Sequence, residues 1–357
     1  VHPLCAGDGF VGRDRATVAC ILRGDVMTTR AVVFADVGRA EVQTIALPGL
    51  GAHELLVRSS LTCISPGTEL RVFAGKQQDI DPFPLVPGYQ VVGEVIEASP
   101  GCEERIGRRV FVNGGSSRFE HVGRAWGAHA SHVIVPNAIA VDLPVGIGSI
   151  DVACSKVAAI AYRGVEATQP DQNDVVGVVG LGLVGQLSAR MFALRCRRVI
   201  AVDVSPWRVE LARQAGIEAV LSTVRADEAL RSVVSTGVDV AVDCTGVPAV
   251  LDQTLAALRD HAWTDPRPHG PKVVVQGSYP DRFDMPYMPA FRKELVMVFP
   301  RDTKARDIRS VIDLTASGAL STRDLITEVV SPDQCQNVYE VLGDRTSQAM
   351  TFAFKWD

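Results

Sequence analysis

Residues 175–203 read VVGVVGLGLVGQLSARMFALRCRRVIAVD. An apolar run, Val175 to Val179, meets the turn Gly180-Leu181-Gly182-Leu183-Val184-Gly185. A helical stretch follows to about Arg195, and a second apolar run, Val199 to Val202, ends on Asp203. A glycine pattern of this kind means little alone. Placed between a strand and a helix, with an acid about 20 residues on, it marks a dinucleotide-binding unit. Gly180 permits the tight turn, Gly182 lets a pyrophosphate approach the backbone, and Gly185 lets helix and strand pack closely. Leu183 and Val184 open the helix, whose free N–H groups and positive dipole end suit phosphate. Asp203 is placed to accept hydrogen bonds from the adenosine ribose, which favours NAD over NADP. Arg208, five residues later, leaves some NADP use open. The alternative is that these glycines serve only the packing of a doubly wound sheet.

The whole chain is long enough for two domains. It has 357 residues, 47% hydrophobic and 22% charged, an ordinary globular balance. A net charge of −5 gives no reason to expect nucleic acid or an anionic membrane as partner. No apolar run approaches the roughly 20 residues of a membrane span. Eight cysteines, none in a CxxC pair, do not make a disulfide framework; reduced thiols in a cytoplasmic protein are the simplest reading. Residues 1–26 fit poorly with the rest of the chain and lack the apolar core of a secretory signal. Met27 is read as the natural start, or the first 26 residues as an appended, poorly ordered arm, with a docked N-terminal helix as the alternative.

From Arg30 to about Pro144 the pattern is one of short strands: Ala31–Phe34, Val42–Ala46, Glu54–Ser60, Gln90–Ala98, Arg109–Val112, Ser131–Val135 and Ile139–Asp142. Proline and glycine punctuate them, so a small β-rich barrel or rolled sheet is expected. Residues 151–168 turn helical, with Val152, Val157, Ile160 and Val165 as buried candidates. Strand and helix then alternate through Val178, Ile200, Val220, Val238–Asp243 and Lys272–Gly277, which calls for a parallel sheet covered by helices. After a strand at Leu295–Phe299 and a helix near Ala305–Gly318, the tail gives a strand at Ile326–Val330, a helix at Pro332–Leu342 and a last strand at Ala349–Lys355. That tail is too small for its own core. It is expected to return to the first part, with the nucleotide fold inserted between them and the ligand in the cleft.

Several segments, in order, resemble the medium-chain dehydrogenase/reductase, or alcohol dehydrogenase-like, superfamily over almost all of residues 28–357. PLVPGYQVVGE (84–94) resembles its PxxxGHExxG segment, IGRRVFV (106–112) its GDRV strand, and GAHASHVIV (127–135) its GxxAEYxxV strand. GLGLVG with Asp203 is similar to its cofactor site, and FRKEL (291–295) to its FxKEL segment. The resemblance implies an α/β fold in which a Rossmann doubly wound parallel sheet is inserted into a GroES-like β-rich catalytic domain. The implied divisions are 1–26 (extension), 27–164 (GroES-like), 165–298 (Rossmann) and 299–357 (return to the catalytic domain). It also implies cofactor contacts from Thr245 and Gly246 after one strand and from Gln276, Gly277 and Ser278 after the next, together with a homodimer.

The departures from the family matter more. Its zinc members hold the catalytic metal with a Cys in a G-I-C-x-[ST]-D segment, the His of GHE, and a Cys or Glu before the nucleotide fold. Here the first segment reads Cys63-Ile64-Ser65-Pro66-Gly67-Thr68-Glu69, so the ligand position holds Ser65 or Pro66. The second reads Gly88-Tyr89-Gln90, so the histidine has become Tyr89; near the third stand Cys154, Ser155 and Lys156. The cysteine-rich loop of the structural zinc is replaced by Gly114-Gly115-Ser116-Ser117-Arg118. Zinc needs three or four good ligands; no metal is expected, and the chain resembles a zinc-independent branch. PGTE at 66–69 with PGY at 87–89 resembles the branch that includes bacteriochlorophyllide 3-hydroxyethyl dehydrogenase and relatives acting on sugars or cyclitols in secondary metabolism.

Without a Lewis acid, side chains must handle the proton while the cofactor carries the hydride. Tyr89 replaces a ligand and so points into the cleft, where a phenol donates to a carbonyl oxygen and takes the proton back on oxidation; otherwise it fills space. His129 aligns with a substrate-lining aromatic of the family and has the pKa for acid–base work, or is a structural histidine. Thr68 stands at the family's proton-relay position. Glu69 orients Tyr89 or Lys156, or is itself the base if burial raises its pKa; the alternative is a turn capped by Thr68 with a solvated Glu69. Lys156 is an acid or oxyanion stabiliser if desolvated, or a surface lysine. The expected activity is NAD-dependent interconversion of a secondary alcohol and a ketone on a sugar, cyclitol or other secondary-metabolite ring. The rivals are an NADPH-dependent enoyl or quinone reductase and a non-catalytic nucleotide-binding protein.

Overall fold

A computed structural model describes residues 27–116, 118–279 and 282–356. The expectations for residues 1–26 lie outside the described residues. The first part supplies β1 (Thr28–Asp36), β2 (Arg39–Ala46), β3 (Glu54–Cys63), α1 (Pro66–Phe73), β4 (Leu85–Val86), β5 (Gln90–Ala98), β6 (Arg109–Asn113), β7 (Gly123–Arg124), β8 (His132–Pro136) and β9 (Ala140–Asp142). Two helices lead out of it, α2 (Ser149–Val152) and α3 (Ser155–Thr168). The central part runs β10 (Val175–Val179), α4 (Leu183–Ala193), β11 (Arg198–Asp203), α5 (Pro206–Gln214), β12 (Glu218–Leu221), α6 (Ala226–Val233), β13 (Val240–Asp243), α7 (Pro248–Ala257), β14 (Lys272–Val275), α8 (Tyr287–Arg292) and β15 (Val296–Val298). The tail adds α9 (Ala305–Ala316), β16 (Ile326–Val330), α10 (Cys335–Gly343) and β17 (Thr351–Lys355).

The central strands form a parallel six-stranded sheet in the order β12-β11-β10-β13-β14-β15. Val-rich runs suit it, because a parallel sheet covered on both faces buries every side chain. The strand order reverses between β10 and β13, and an open α/β sheet binds its ligand at such a switch point. Val179 is registered against Val202 on one side and Asp243 on the other, which brings the carboxyl ends of these strands level.

The other strands form a four-stranded sheet, β2-β1-β4-β7, and a seven-stranded one, β16-β17-β3-β5-β6-β9, with β8 also on β3. The last strand therefore joins the first part: Ala353 pairs with Cys63, and Phe354 with Thr62. Tyr339, Phe352, Phe354 and Trp356 share one buried cluster with Phe34, Ile64 and Val72. The helical stretch at 151–168 is two helices. The chain breaks at Ala153–Cys154 and restarts at Ser155, where the Gln90 amide oxygen accepts from the Lys156 and Val157 backbone N–H groups at 3.1 and 3.2 Å. Val152, Val157 and Val165 are buried as expected, but Ile160 is only half-buried. The stretch 66–73, for which no element was expected, is α1; proline at its first position is compatible with a helix start.

Candidate active site

The nucleotide half of the site is built at the carboxyl ends of β10, β11, β13 and β14. Gly180 turns the chain with a φ of +90°, and a side chain there would strike Thr245. A Cβ on Gly185 would lie 1.8 Å from the Gly180 carbonyl oxygen, whereas one on Gly182 would meet nothing within 4 Å. The loop is thus closed on its packed side and open where a ligand would approach. Leu183 and Val184 form the first turn of α4, with Gly182 as its N-cap. Asp203, 7% exposed, accepts from the Leu181 N–H at 2.6 Å and from the Ser205 N–H at 2.8 Å. The carboxylate is therefore locked to the glycine loop, and each oxygen retains a lone pair for a ribose hydroxyl.

Arg208 lies 4.0 Å from the Asp203 carboxylate, over the face of Trp207 at 5.5 Å, and its Nε is buried without a partner. Asp243, fully buried, accepts from the Thr245 N–H at 2.8 Å and the Thr245 hydroxyl at 3.0 Å. Gly246 stands against the Ser278 carbonyl, so the turns after β13 and β14 are in contact. Thr245, Gly246, Gly277 and Ser278 are thereby brought together. The Gln276 side chain turns away, its amide donating to the Ile160 carbonyl of α3 at 3.1 Å, while its backbone, the part expected to meet the cofactor, leads into Gly277.

The other half of the site grows from the end of β3 and from α1. The Tyr89 phenol donates to the Ser65 hydroxyl, and its ring edge meets Trp126 at 5.3 Å. Burial pushes the Tyr89 phenol up to about 12, against hydrogen bonds with Ser65 and Thr68 and with the Glu69 charge adding to the rise. Thr68 thus belongs to the Tyr89 neighbourhood.

Glu69 has no exposure at all. One of its oxygens accepts the Ser65 N–H at 2.7 Å; the other accepts the Tyr339 hydroxyl at 2.7 Å and lies 2.8 Å from His129 Nε2. His129 Nδ1 lies 2.8 Å from the Thr62 hydroxyl, which accepts the Trp356 indole N–H at 3.0 Å. With a neutral imidazole the hydrogen bonds form a directed chain. Trp356 donates to Thr62, Thr62 to His129 Nδ1, and His129 Nε2–H to Glu69.

These contacts revise the expected roles. His129 is fully buried with both ring nitrogens engaged, and Gly88 lies so close that a Cβ there would come within 2.5 Å of Nε2. It braces Glu69 rather than lining a substrate space. Glu69 is neither solvated nor directed at Lys156, and it reaches Tyr89 only through Ser65. Lys156, 8% exposed, donates to Asp302 at 2.5 Å and Thr303 at 2.7 Å. Ser65 shows in the sequence only as a lost ligand position. Tyr339 and Trp356 carry no spacing signal, because they arrive from the tail, 270 and 294 residues from their partners Glu69 and Thr62.

The donor set does not suit zinc. At or near the positions that the resemblance assigns to the ligands stand the Ser65 hydroxyl, the Tyr89 phenol and the Cys154 thiol. The first two bond to each other, and Cys154 Sγ lies 3.3 Å from Cys63 Sγ. Among the described residues no three His, Cys, Asp or Glu side chains are grouped to hold a metal ion. Among them, too, no helix is long and apolar enough to cross a membrane.

Residues 51–145 match the alcohol dehydrogenase GroES-like domain, and residues 180–264 match the family described as zinc-binding dehydrogenase. The second match covers the part of the nucleotide fold from the glycine loop past α7, and Ser65, Tyr89 and Cys154 lie outside it. The chain is 26% identical over 324 residues to 2-desacetyl-2-hydroxyethyl bacteriochlorophyllide A dehydrogenase of Cereibacter sphaeroides, covering 88% of this chain and 94% of that protein. In fold it is similar to a protein of Sinorhizobium meliloti 1021 described as a zinc-binding dehydrogenase and solved with NADP (TM-score 0.79, 21% identity, 92% of this chain and 99% of that one). It is also similar to an alcohol dehydrogenase of E. coli CFT073 solved with NADH (TM-score 0.80, 18% identity, 92% and 99%).

Proposed function

Because the chain belongs to the alcohol dehydrogenase-like superfamily of medium-chain dehydrogenases and reductases, we propose that it is an NAD-dependent dehydrogenase that works without zinc. It interconverts a secondary alcohol and a ketone on a polar ring compound such as a sugar, cyclitol or related secondary metabolite. The observation that carries this reading is the hydrogen-bonded hydroxyl pair Tyr89–Ser65, at positions that the resemblance assigns to zinc ligands.

The residues present fit a dinucleotide at the glycine loop, which is open at Gly182 and has Asp203 beside it. When bound, the nicotinamide supplies the acceptor or donor of hydride. The side chains do the rest. In the direction of reduction the Tyr89 phenol, kept protonated by burial, gives its proton to the carbonyl oxygen. The Ser65 hydroxyl then turns to donate to the phenolate, and Thr68 stands by to pass a proton in from the cleft. Glu69 holds the Ser65 backbone so that this hydroxyl stays in place. In oxidation the same groups run in reverse. A second reading of the cofactor rests on the unpartnered Arg208 Nε, which suits a 2′-phosphate and hence NADP. The proposal includes a homodimer formed through the β15 edge.

The test is a metal analysis with paired titrations of NAD and NADPH and a scan of secondary alcohols and enones. Turnover of an alcohol with NAD after exhaustive chelation is the expected result. A stoichiometric zinc whose removal abolishes turnover overturns it. Enone reduction with NADPH points to the reductase alternative, and nucleotide binding without turnover to a non-catalytic protein.

A further inference from the structure

We infer that Arg71 is a specificity-determining residue, selecting a substrate that carries a carboxylate or phosphate close to the carbon being oxidised. This rests on the dehydrogenase reading above and names the substrate class of the same site.

Arg71 lies three residues after Thr68 on α1, and residues at that spacing share one face of a helix. It therefore stands on the side of α1 that carries the Tyr89 neighbourhood. Its Nη1 crosses the cleft and donates to the Ser278 hydroxyl at 2.7 Å, just past the end of β14. That is the side chain's one hydrogen bond among the described residues. A guanidinium has five N–H donors, and the Arg71 Nε is buried with no acceptor. No carboxylate of the described residues lies within ion-pair distance of it. Two other cations of the proposed site differ: Lys156 is neutralised by Asp302 at 2.5 Å, and Arg208 has Asp203 at 4.0 Å. A planar fork held by one neutral hydroxyl, with its other donors unused, is the arrangement that a bidentate anion completes.

Position decides which anion. β14 lies two strands from β10, roughly 10 Å at the usual spacing. Arg71 thus meets the turn after β14 and not the glycine loop that would take the pyrophosphate, and it shares a face of α1 with Thr68. The missing partner is a group on the substrate. Ser278 keeps a hydroxyl proton, so it can donate to the same anion.

The test is calorimetric binding to the NADH-saturated protein of two probe pairs: 3-hydroxybutyrate against 1,3-butanediol, and glycerol 3-phosphate against glycerol. At least one anionic probe is expected to bind tenfold or more tightly than its neutral partner. Arg71→Gln should reduce that preference to within twofold and Arg71→Lys should keep part of it, both with NADH affinity within threefold of the parent. NADH binding also shows that each variant is folded. Equal binding of charged and neutral partners, no binding of any probe, or a preference that survives in R71Q overturns the inference. So does a tenfold loss of NADH affinity in R71Q with the preference unchanged, which would assign the guanidinium to the cofactor. Binding is read without turnover, so a charge preference in a protein that oxidises no alcohol would strike the dehydrogenase reading alone.

Discussion

At the scale of residues, the arrangement turns on a phenol that cannot easily ionise. Tyr89→Phe removes the proton but keeps the ring that packs on Trp126. It should lower kcat about a hundredfold or more while leaving the NAD dissociation constant within twofold; steady-state kinetics with a nucleotide titration check both. Glu69→Gln is expected to act indirectly, because Glu69 touches Ser65 and not Tyr89. Its kcat should fall less than that of Y89F, and a loss as large as Y89F would make Glu69 the acid itself. The Tyr89 shift also sets a stability window. The neutral, protonated phenol is favoured in the folded state, whose value is about 12 against an ordinary 10. Its contribution is complete below pH 10 and is lost as pH rises from 10 to about 12. Across that range stability should fall by about 1.4 kcal/mol per pH unit from this group. Urea unfolding from pH 8 to 11 should show a shallower fall in Y89F than in the parent.

At the scale of elements, the β10–α4 turn separates folding from binding. Gly182→Ala places a methyl in open space and costs at most about 1 kcal/mol at a helix N-cap. Its unfolding should stay close to the parent, and NAD affinity should drop at least tenfold. Gly185→Ala drives a methyl into the Gly180 carbonyl, so it should lower both the melting temperature and the affinity. Equal nucleotide affinity in G182A and the parent would mean the loop does not carry the pyrophosphate. This element is legible in the chain because its defining parts are local: strand, turn, helix and acid lie within 29 residues, from Val175 to Asp203. The same holds for the parallel strands, whose apolar runs match the observed ones. α1 is not legible, because eight residues starting Pro-Gly carry more turn signal than helical period. It is held from outside, by Glu69 reaching Tyr339 and by Val72 in the tail cluster. The role of His129 is hidden for a related reason. A strand position says which side a histidine faces, but its two partners, Thr62 and Glu69, come from 67 and 60 residues away.

At the scale of the whole molecule, one edge of the central sheet is left uncovered. β15 ends the six-stranded sheet, and among the described residues its outer row of backbone groups has no neighbouring strand. Around it Tyr287, Met288, Phe291, Val296 and Phe299 are between 40% and 70% exposed. Proteins blunt a free strand edge with charge, proline or a covering element, and a run of exposed aromatic side chains does the opposite. A second copy pairing its own β15 in antiparallel fashion would continue the sheet across a two-fold axis and bury these rings on both sides. Such an interface is isologous, so a single substitution is felt twice. Val296→Lys places two like charges at the centre of the joint while leaving the β14 pairing, which runs through the opposite edge of the strand, in place. Sedimentation velocity at micromolar concentration should show a dimer for the parent and a monomer for V296K. Nucleotide binding should be retained, because β13 and β14 stand between β15 and the β10 strand that leads into the glycine loop. A parent that sediments as a monomer, or a V296K that remains a dimer, removes β15 as the joint.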